Sequence, residues 1–299
     1  MATTVKESFR QFAENLNITD RQGVVVSCCH KNIVSVIGSK LALKSESPSK
    51  LIGSYDRDTL IRYLKEGDVD LMVVLHYGKN KEYDLKEGIR KVLEKFKEIL
   101  KESYSDTECI IDRNCVSMKF SQFKLDVVPA FEYSGGGYSI PDTYRSQWLH
   151  TNPIKFAEKI TEINKRMNNS FVPLIKMIKG WNRTYSKRLR GFHIECMMIN
   201  HYNDYTESYT YDSMIKIFFS KLPEYLDGAS YDPISGDRVD LYLDNDSLEN
   251  KRSVFVSRAK NAYTKALEAY EDTTKYPNAT NIAIDEWKAL MGEFFPAYG

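Results

Sequence analysis

Apolar residues along this chain recur at two spacings, and the change between them divides it. The run DVDLMVVL (68–75) becomes continuously apolar after its acids, and MKFSQFKLDVVPAF (118–131) alternates through Phe123, Lys124, Leu125, Asp126 and Val127. Alternation that gives way to an unbroken apolar run predicts strands, the second fully buried toward Val127 and Val128. Helical spacing takes over in Asn168–Leu189, where Phe171, Leu174, Ile178, Trp181 and Tyr185 recur at three- and four-residue steps. Cap-like Asn169 and Ser170, with Pro173 in the first turn, mark its start. Further helices are expected at the N-terminus (MATTVKESFRQFAENL), in short form over Thr59–Leu64, and over Lys86–Lys101. Three consecutive glycines make Ser134–Asp142 a mobile loop that covers a cleft or a lobe boundary. Ser230–Asp246 reads as a turn-rich connector whose Asp237, Asp240, Asp244 and Asp246 lack EF-hand spacing and are expected to be solvated. The pattern predicts an α+β protein: a lobe over residues 1–151 with a mixed sheet and helices, and a mostly helical second lobe over residues 152–299.

The acids that open the first strand carry the chemistry. Asp68 and Asp70 lie two apart, so a strand projects both from one face. Two carboxylates on one edge need a positive partner. Mg²⁺, with Mn²⁺ as a substitute, suits them because it prefers hard oxygen ligands and completes its shell with substrate phosphate. Upstream, Gly53 permits close backbone approach and Ser54 offers a hydroxyl and an N–H to a phosphate. Asp126 interrupts a buried apolar stretch, where an unpaired carboxylate is expensive. It either pairs with Lys124, which points the same way, or joins Asp68 and Asp70 at a metal centre if the two strands are neighbours. Three converging carboxylates are what a two-metal transfer to an activated hydroxyl requires. The bland reading of the D-x-D is ordinary turn chemistry.

Gly-Ser, then Asp-x-Asp on a strand, then a distant third Asp resembles the DNA polymerase β-like nucleotidyltransferase superfamily. GSYDRDT (53–59) with DVDLMVVL, GGGYSIPD (135–142), Trp148 and Thr151-Asn152-Pro153 is similar to its cGAS/DncV-like members (CD-NTases). LIKMIKGWN (174–182), GFHIE (191–195) and WKALMGEFFP (287–296) extend the resemblance over nearly the whole chain. It implies a polymerase β-like catalytic lobe and a helical nucleotide-binding lobe, with nucleotides bound between them. It also implies synthesis of a cyclic di- or trinucleotide messenger from nucleoside triphosphates, ATP among them, in bacterial antiphage defence of the CBASS type. By that analogy Asp68 and Asp70 bind metal, Asp126 activates the ribose hydroxyl, and Ser54 holds the triphosphate. A downstream effector responsive to the cyclic nucleotide is the implied partner. Two departures stand out: there is no Cys/His cluster at zinc-ligand spacing, and Gly191 replaces the Ser that many relatives carry.

Bulk properties narrow the class. At 299 residues and a net charge of +1, the chain has room for a sizeable core and lacks the strong basicity of proteins that grip long nucleic acid. No apolar run approaches a membrane span, and the N-terminus is interrupted by Glu7 and Glu14 rather than built as a signal peptide, so a cytoplasmic protein is expected. The five cysteines show no C-x-x-C and are expected to be buried and unpaired, and His193 to be a satisfied core histidine.

One basic feature is local. At about 100° per residue, Lys176, Lys179, Arg183, Lys187 and Arg190 fall within a sector of about 80° on the predicted helix. Like charges so placed destabilise a helix unless solvent, a bound triphosphate or acidic side chains offset them. The resemblance favours Lys179, then Lys187, as triphosphate contacts, and places Phe192 where an aromatic stacks on a base, against a core role for that ring. The C-terminal FPAYG suggests ubiquitin-like conjugation at Gly299, as in some bacterial relatives. Two other functions use the same residues: a template-independent enzyme that tails RNA or tRNA, and a scaffold that binds nucleotide without catalysis.

Overall fold

The computed structural model describes residues 2–185, 189–206, 209–244, 252–275 and 280–299. The chain divides into two compact units, residues 18–157, and residues 1–17 with 158–299. In chain order the elements are α1 (Val5–Asn15), α2 (Asp20–Gly38), β1 (Ser49–Ile52), the single turn α3 (Gly53–Asp56), β2 (Asp68–Val74) and α4 (Tyr77–Asn80). There follow α5 (Gly88–Ser103), β3 (Glu108–Asp112), β4 (Cys115–Lys119), β5 (Lys124–Glu132), β6 (Tyr138–Asp142) and β7 (Gln147–Thr151). The remainder is helical: α6 (Pro153–Arg166), α7 (Phe171–Tyr185), α8 (Gly191–Tyr202), α9 (Tyr211–Asp227), α10 (Arg252–Lys275) and α11 (Thr280–Met291).

The sheet of the first unit runs β1-β2-β5-β4-β3, with β6 and β7 attached as a hairpin beyond β5. Only β2 and β5 are parallel; every other pairing is antiparallel. Val69, Leu71 and Val73 of β2 and Leu125 and Val127 of β5 join one core with Val26, Ile33 and Ile37 of α2 and Val92, Phe96 and Ile99 of α5. Period two sends the alternate residues to the other face, where Met72, Val74 and Ala130 pack with Ile52, Tyr138 and Ile140. Both faces of the central strands are thus covered at one end, which is why their sequences become continuously apolar. At the other end of the second face lie Asp68, Asp70, Lys124 and Asp126.

Local chemistry departs from expectation at two places in this unit. Thr59–Leu64 is not helical, and a 3₁₀ turn forms only at Leu64–Glu66. The Thr59 and Leu60 N–H groups both donate to the Ser54 carbonyl at 2.9 Å, which folds the chain back on Ser54 in a turn where the helix was expected. Nor is Ser134–Asp142 an open loop. Tyr133 N–H donates to Gly137 O at 3.1 Å, and Gly136 and Gly137 take φ of 89° and 85°, which closes a tight turn from β5 into β6. The glycines therefore make a hairpin rather than a lid.

In the helical unit, α1 is the main departure, because the sequence reading assigned it to the lobe ending at residue 151. Val5, Phe9, Phe12 and Leu16 form a buried stripe at helical spacing. Phe9 meets Trp287 and Phe295 edge-on, each with ring centroids 5.0 Å apart. Leu16 fits against Gly180 of α7, where an added Cβ would sit 3.0 Å from Leu16 Cδ2. A second correction concerns the connector acids. Asp240 is fully buried and holds Arg252 Nη2 at 2.5 Å and Arg238 Nε at 3.0 Å, and Asp244 pairs with the same two arginines. Asp237 is exposed, and Asp246 lies outside the described residues.

The apolar stripe of α1 gives a direct check on this division. Phe9→Ala should destabilise the protein by about 3–5 kcal/mol, the usual cost of truncating a buried Phe. Hydrogen exchange should then show protection lost in α7 and α11 while β2 and β5 keep theirs; loss in the strands instead would contradict the placement of α1.

Candidate active site

Register assembles the site. Across the sheet, Ile52 pairs with Asp70, Asp70 with Asp126, and Asp126 with Ser117, so one level of four strands carries two of the acids side by side. One pleat along, Asp68 pairs with Lys124. All of these side chains stand on the face away from α2 and α5.

Each carboxylate has a defined environment. Asp126 is buried, and its Oδ1 accepts a hydrogen bond from Ser117 Oγ at 2.7 Å. Its Oδ2 lies 3.2 Å from Lys124 Nζ, and the same ammonium is 3.2 Å from Asp68 Oδ1. Asp68 and Asp126 therefore reach one cation centre, and both readings of Asp126 meet there: it pairs with Lys124 and it converges with the other acids. Burial, then the charges of Asp126 and Asp68, push Asp70 up to about 7, with Arg57 and Lys124 opposing. Burial also raises Asp126, against the Ser117 hydrogen bond and the Lys124 charge. Arg57, held 4.9 Å from the Phe156 ring centroid, belongs to the site although sequence reasoning passed over it. So does Ser117, which a period-two reading of β4 beside β5 could have found.

Gly53 closes the turn from β1 onto Asp70. Its φ is +71°, and a Cβ added there would lie 2.0 Å from Asp70 Oδ2. Only glycine meets both conditions. Ser54 follows, its carbonyl fixed by the two backbone N–H groups of Thr59 and Leu60. The Gly-Ser pair is thus fastened beside the D-x-D rather than merely near it in sequence.

Among the described residues no three His, Cys, Asp or Glu side chains already stand at metal-holding spacing. The donor set still fits a hard divalent cation. Three carboxylates supply hard oxygens, and burial, then the charges of Asp126 and Asp68, raise Asp70, so a cation beside it would favour its ionised form.

The remaining sequence candidates lie in the helical unit. Lys179 Nζ is 2.6 Å from Glu195 Oε1 in a buried ion pair, and a Cβ on Gly191 would sit 3.6 Å from that ammonium. Lys176, also buried, donates to Asn17 Oδ1 at 2.8 Å. The basic stripe is therefore not a solvated face at these two positions. Phe192 is 40% exposed in the first turn of α8, so it is not a core ring. Lys187 lies outside the described residues. His193 is buried as expected but only half satisfied: Nδ1 is 2.9 Å from the Tyr242 hydroxyl, whereas the buried Nε2 has no hydrogen-bond partner among the described residues, and burial pushes the ring down to about 4. Of the cysteines, Cys109, Cys115 and Cys196 are buried but Cys28 is exposed, which departs from the expectation for all five.

A mixed sheet with three acids on neighbouring parallel strands beside a Gly-Ser turn defines a nucleotidyltransferase of the polymerase β-like fold. The chain belongs to the Second Messenger Oligonucleotide or Dinucleotide Synthetase domain family, whose model matches residues 3–164. A cyclic AMP-AMP-AMP synthase of an Acinetobacter species is 29% identical over 261 residues, 82% of this chain and 72% of its own. Escherichia coli MS115-1 CdnC with ATP superposes with a TM-score of 0.72 at 16% identity, covering 97% of this chain and 98% of that one. Vibrio cholerae DncV with the linear intermediate 5′ pppA(3′,5′)pG superposes at 0.73 with 11% identity, covering 97% of each. These likenesses bear out the cGAS/DncV-like resemblance and the α+β fold. The chain is an enzyme of the nucleotidyltransferase class.

Two outcomes follow from the geometry. Gly53→Ala should remove nucleotidyl transfer by at least about 100-fold, the scale of a lost transition-state contact, with the fold retained by circular dichroism. In EDTA, stability should fall as pH rises. The folded carboxyl of Asp70 holds its proton up to about 7 while the unfolded one releases it near 3.8, so folding takes up a proton inside that window. Thermal melts should therefore show the metal-free protein more stable at about pH 5 than at about pH 8, with Asp70→Asn flattening the difference.

Proposed function

We propose that this protein is a divalent-metal-dependent cyclic oligonucleotide synthase that joins nucleoside triphosphates into a second messenger of antiphage defence. The observation that carries the reading is the β2–β5 register, with Asp68 and Asp126 both reaching one cation centre beside Asp70. Asp68, Asp70 and Asp126 would hold Mg²⁺ or Mn²⁺, which when bound supplies charge stabilisation to the triphosphate and the departing pyrophosphate. The chain's own residues do the rest. Gly53 and Ser54 receive the phosphate tail at the turn beside Asp70. Asp126, steadied by Ser117, takes the proton of the acceptor ribose hydroxyl. The hydroxyl oxygen bonds to the α-phosphorus, the bond from that phosphorus to the bridging oxygen breaks, and pyrophosphate leaves. Further steps of the same kind complete the linear product, and a last one within it, again releasing pyrophosphate, closes the ring. The Acinetobacter relative's name supports ATP as a substrate.

In the helical unit, Lys179 of α7 and Phe192 at the start of α8 are the candidates for nucleotide contact, with Lys187. A phosphate there would share Lys179 with Glu195. Exposed Ala297–Gly299 supports Gly299 as a conjugation point, provided that the Gly299 N–H, which donates to Ala2 O at 3.3 Å, is released. A cyclic-nucleotide-responsive effector would act downstream. Among the described residues no helix is long and apolar enough to cross a membrane.

The test is incubation with the four ribonucleoside triphosphates and Mg²⁺ or Mn²⁺, followed by mass spectrometry. A cyclic product without added RNA is expected, reduced at least about 100-fold in Asp68→Asn/Asp70→Asn and in Asp126→Asn. Product formed only on added RNA would establish a tailing enzyme instead. Triphosphate binding with no turnover under any of these conditions would leave the scaffold reading.

A further inference from the structure

We propose that Lys124 is an internal counter-ion that closes the cation position between Asp68 and Asp126 until a nucleotide-borne metal displaces it. The inference rests on the metal-binding reading of the three acids. Lys124 is no passing surface lysine. It is the in-register partner of Asp68 on β5 and stands two residues from Asp126, on the same face. Its ammonium is 3.2 Å from one oxygen of each acid, with its side chain one-third exposed at 33%.

Competition follows from which oxygens are used. Ser117 Oγ holds Asp126 Oδ1 at 2.7 Å, so Oδ2 is the oxygen without that hydrogen bond, and Lys124 meets it. A divalent ion seated between Asp68 and Asp126 where the ammonium now stands would draw on those same oxygens, and an ammonium and a metal cannot occupy that one position together. Binding of bare metal must therefore expel a charge already paired twice. A metal arriving on a triphosphate brings its own ligands and offers the expelled ammonium an anion. There is room for the retreat: Lys124 borders an open cavity of about 340 Å³, lined also by Asp68, Ser117 and Lys119. Lys124 thus acts as a positioning residue that couples occupancy of the metal centre to arrival of nucleotide.

The experiment is a Mn²⁺ titration of the nucleotide-free full chain, read by the electron paramagnetic resonance signal of free Mn²⁺. Lys124→Gln and Lys124→Met should bind Mn²⁺ about tenfold or more tighter than the parent, within the usual range of coupling between two sites. Adding α,β-methylene-ATP should shrink the difference. In EDTA both variants should melt lower than the parent and regain the loss with Mn²⁺. Equal nucleotide-free affinities would overturn the role of Lys124 and leave the metal site standing. Absence of Mn²⁺ binding by parent and variants, even with the analogue, would overturn the metal reading and this proposal together. Should the variants fail to fold, acetylation of Lys124 in the parent decides: labelling should rise at saturating Mn²⁺, and an unchanged rate would overturn the proposal.

Discussion

The parallel pairing of β2 with β5 is the constraint on which the rest depends. It sets Asp70 opposite Asp126 across a single strand spacing and brings Asp68 beside Lys124. Sliding one strand by a single residue would turn every one of these side chains to the opposite face. What prevents the slip is the apolar half of the same two strands. Val69, Leu71 and Val73 must face α2 and α5, while Met72 and Val74 must meet Ile140 and Tyr138, and only one register satisfies both layers. The acids are thus held together against their own repulsion by hydrophobic packing a few residues further along the strands.

Repulsion kept in this way is what the chemistry uses. Asp70 would ionise fully at neutral pH if it were solvated, but burial beside two other carboxyls holds it up to about 7. Gly53 adds to the confinement, since the turn backbone rather than water covers one side of the Asp70 carboxylate. A site that resists its own negative charge gains from any cation able to enter, and a doubly charged ion with hard-oxygen preference gains more than an ammonium. Ser117 sharpens the arrangement by committing one oxygen of Asp126, which leaves the other oriented.

Much of this was legible in the sequence, and the parts that were not share a cause. The D-x-D, the Gly-Ser turn and the third Asp were found because strand periodicity and the cost of a buried carboxylate act on neighbouring residues. The fold class was legible for the same reason, since apolar spacing alone separates the sheet from the helices. What escaped depends on partners distant in sequence. Thr59 and Leu60 turn back on the Ser54 carbonyl, and the glycines at 135–137 turn a hairpin only because β6 finds β5. Helix α1 was placed by its position at the start of the chain, whereas its stripe fits Trp287 and Phe295, almost the whole chain away. Asp240 looked like a turn acid until Arg252 arrived from α10.

The two charge clusters carry this reasoning one step further. Periodicity announced an acidic set in the sheet unit and a basic set in the helical unit, each needing opposite charge, and it could not say where that charge would come from. In the helical unit the described members find internal partners: Lys179 the carboxylate of Glu195, Lys176 the neutral acceptor Asn17, and Arg183 and Arg190 the rings of Phe294 and Tyr242. In the sheet unit the internal supply falls short. Lys124 serves Asp68 and Asp126, but Asp70, raised first by burial and then by the Asp126 and Asp68 charges, stays raised despite Lys124 and Arg57. The unmet demand for positive charge therefore rests on the acids rather than on the lysines, beside the Gly-Ser turn proposed to receive the phosphate tail. A ligand that brings a divalent cation together with its own anionic groups answers both conditions at once, and a metal-bound nucleoside triphosphate is such a ligand.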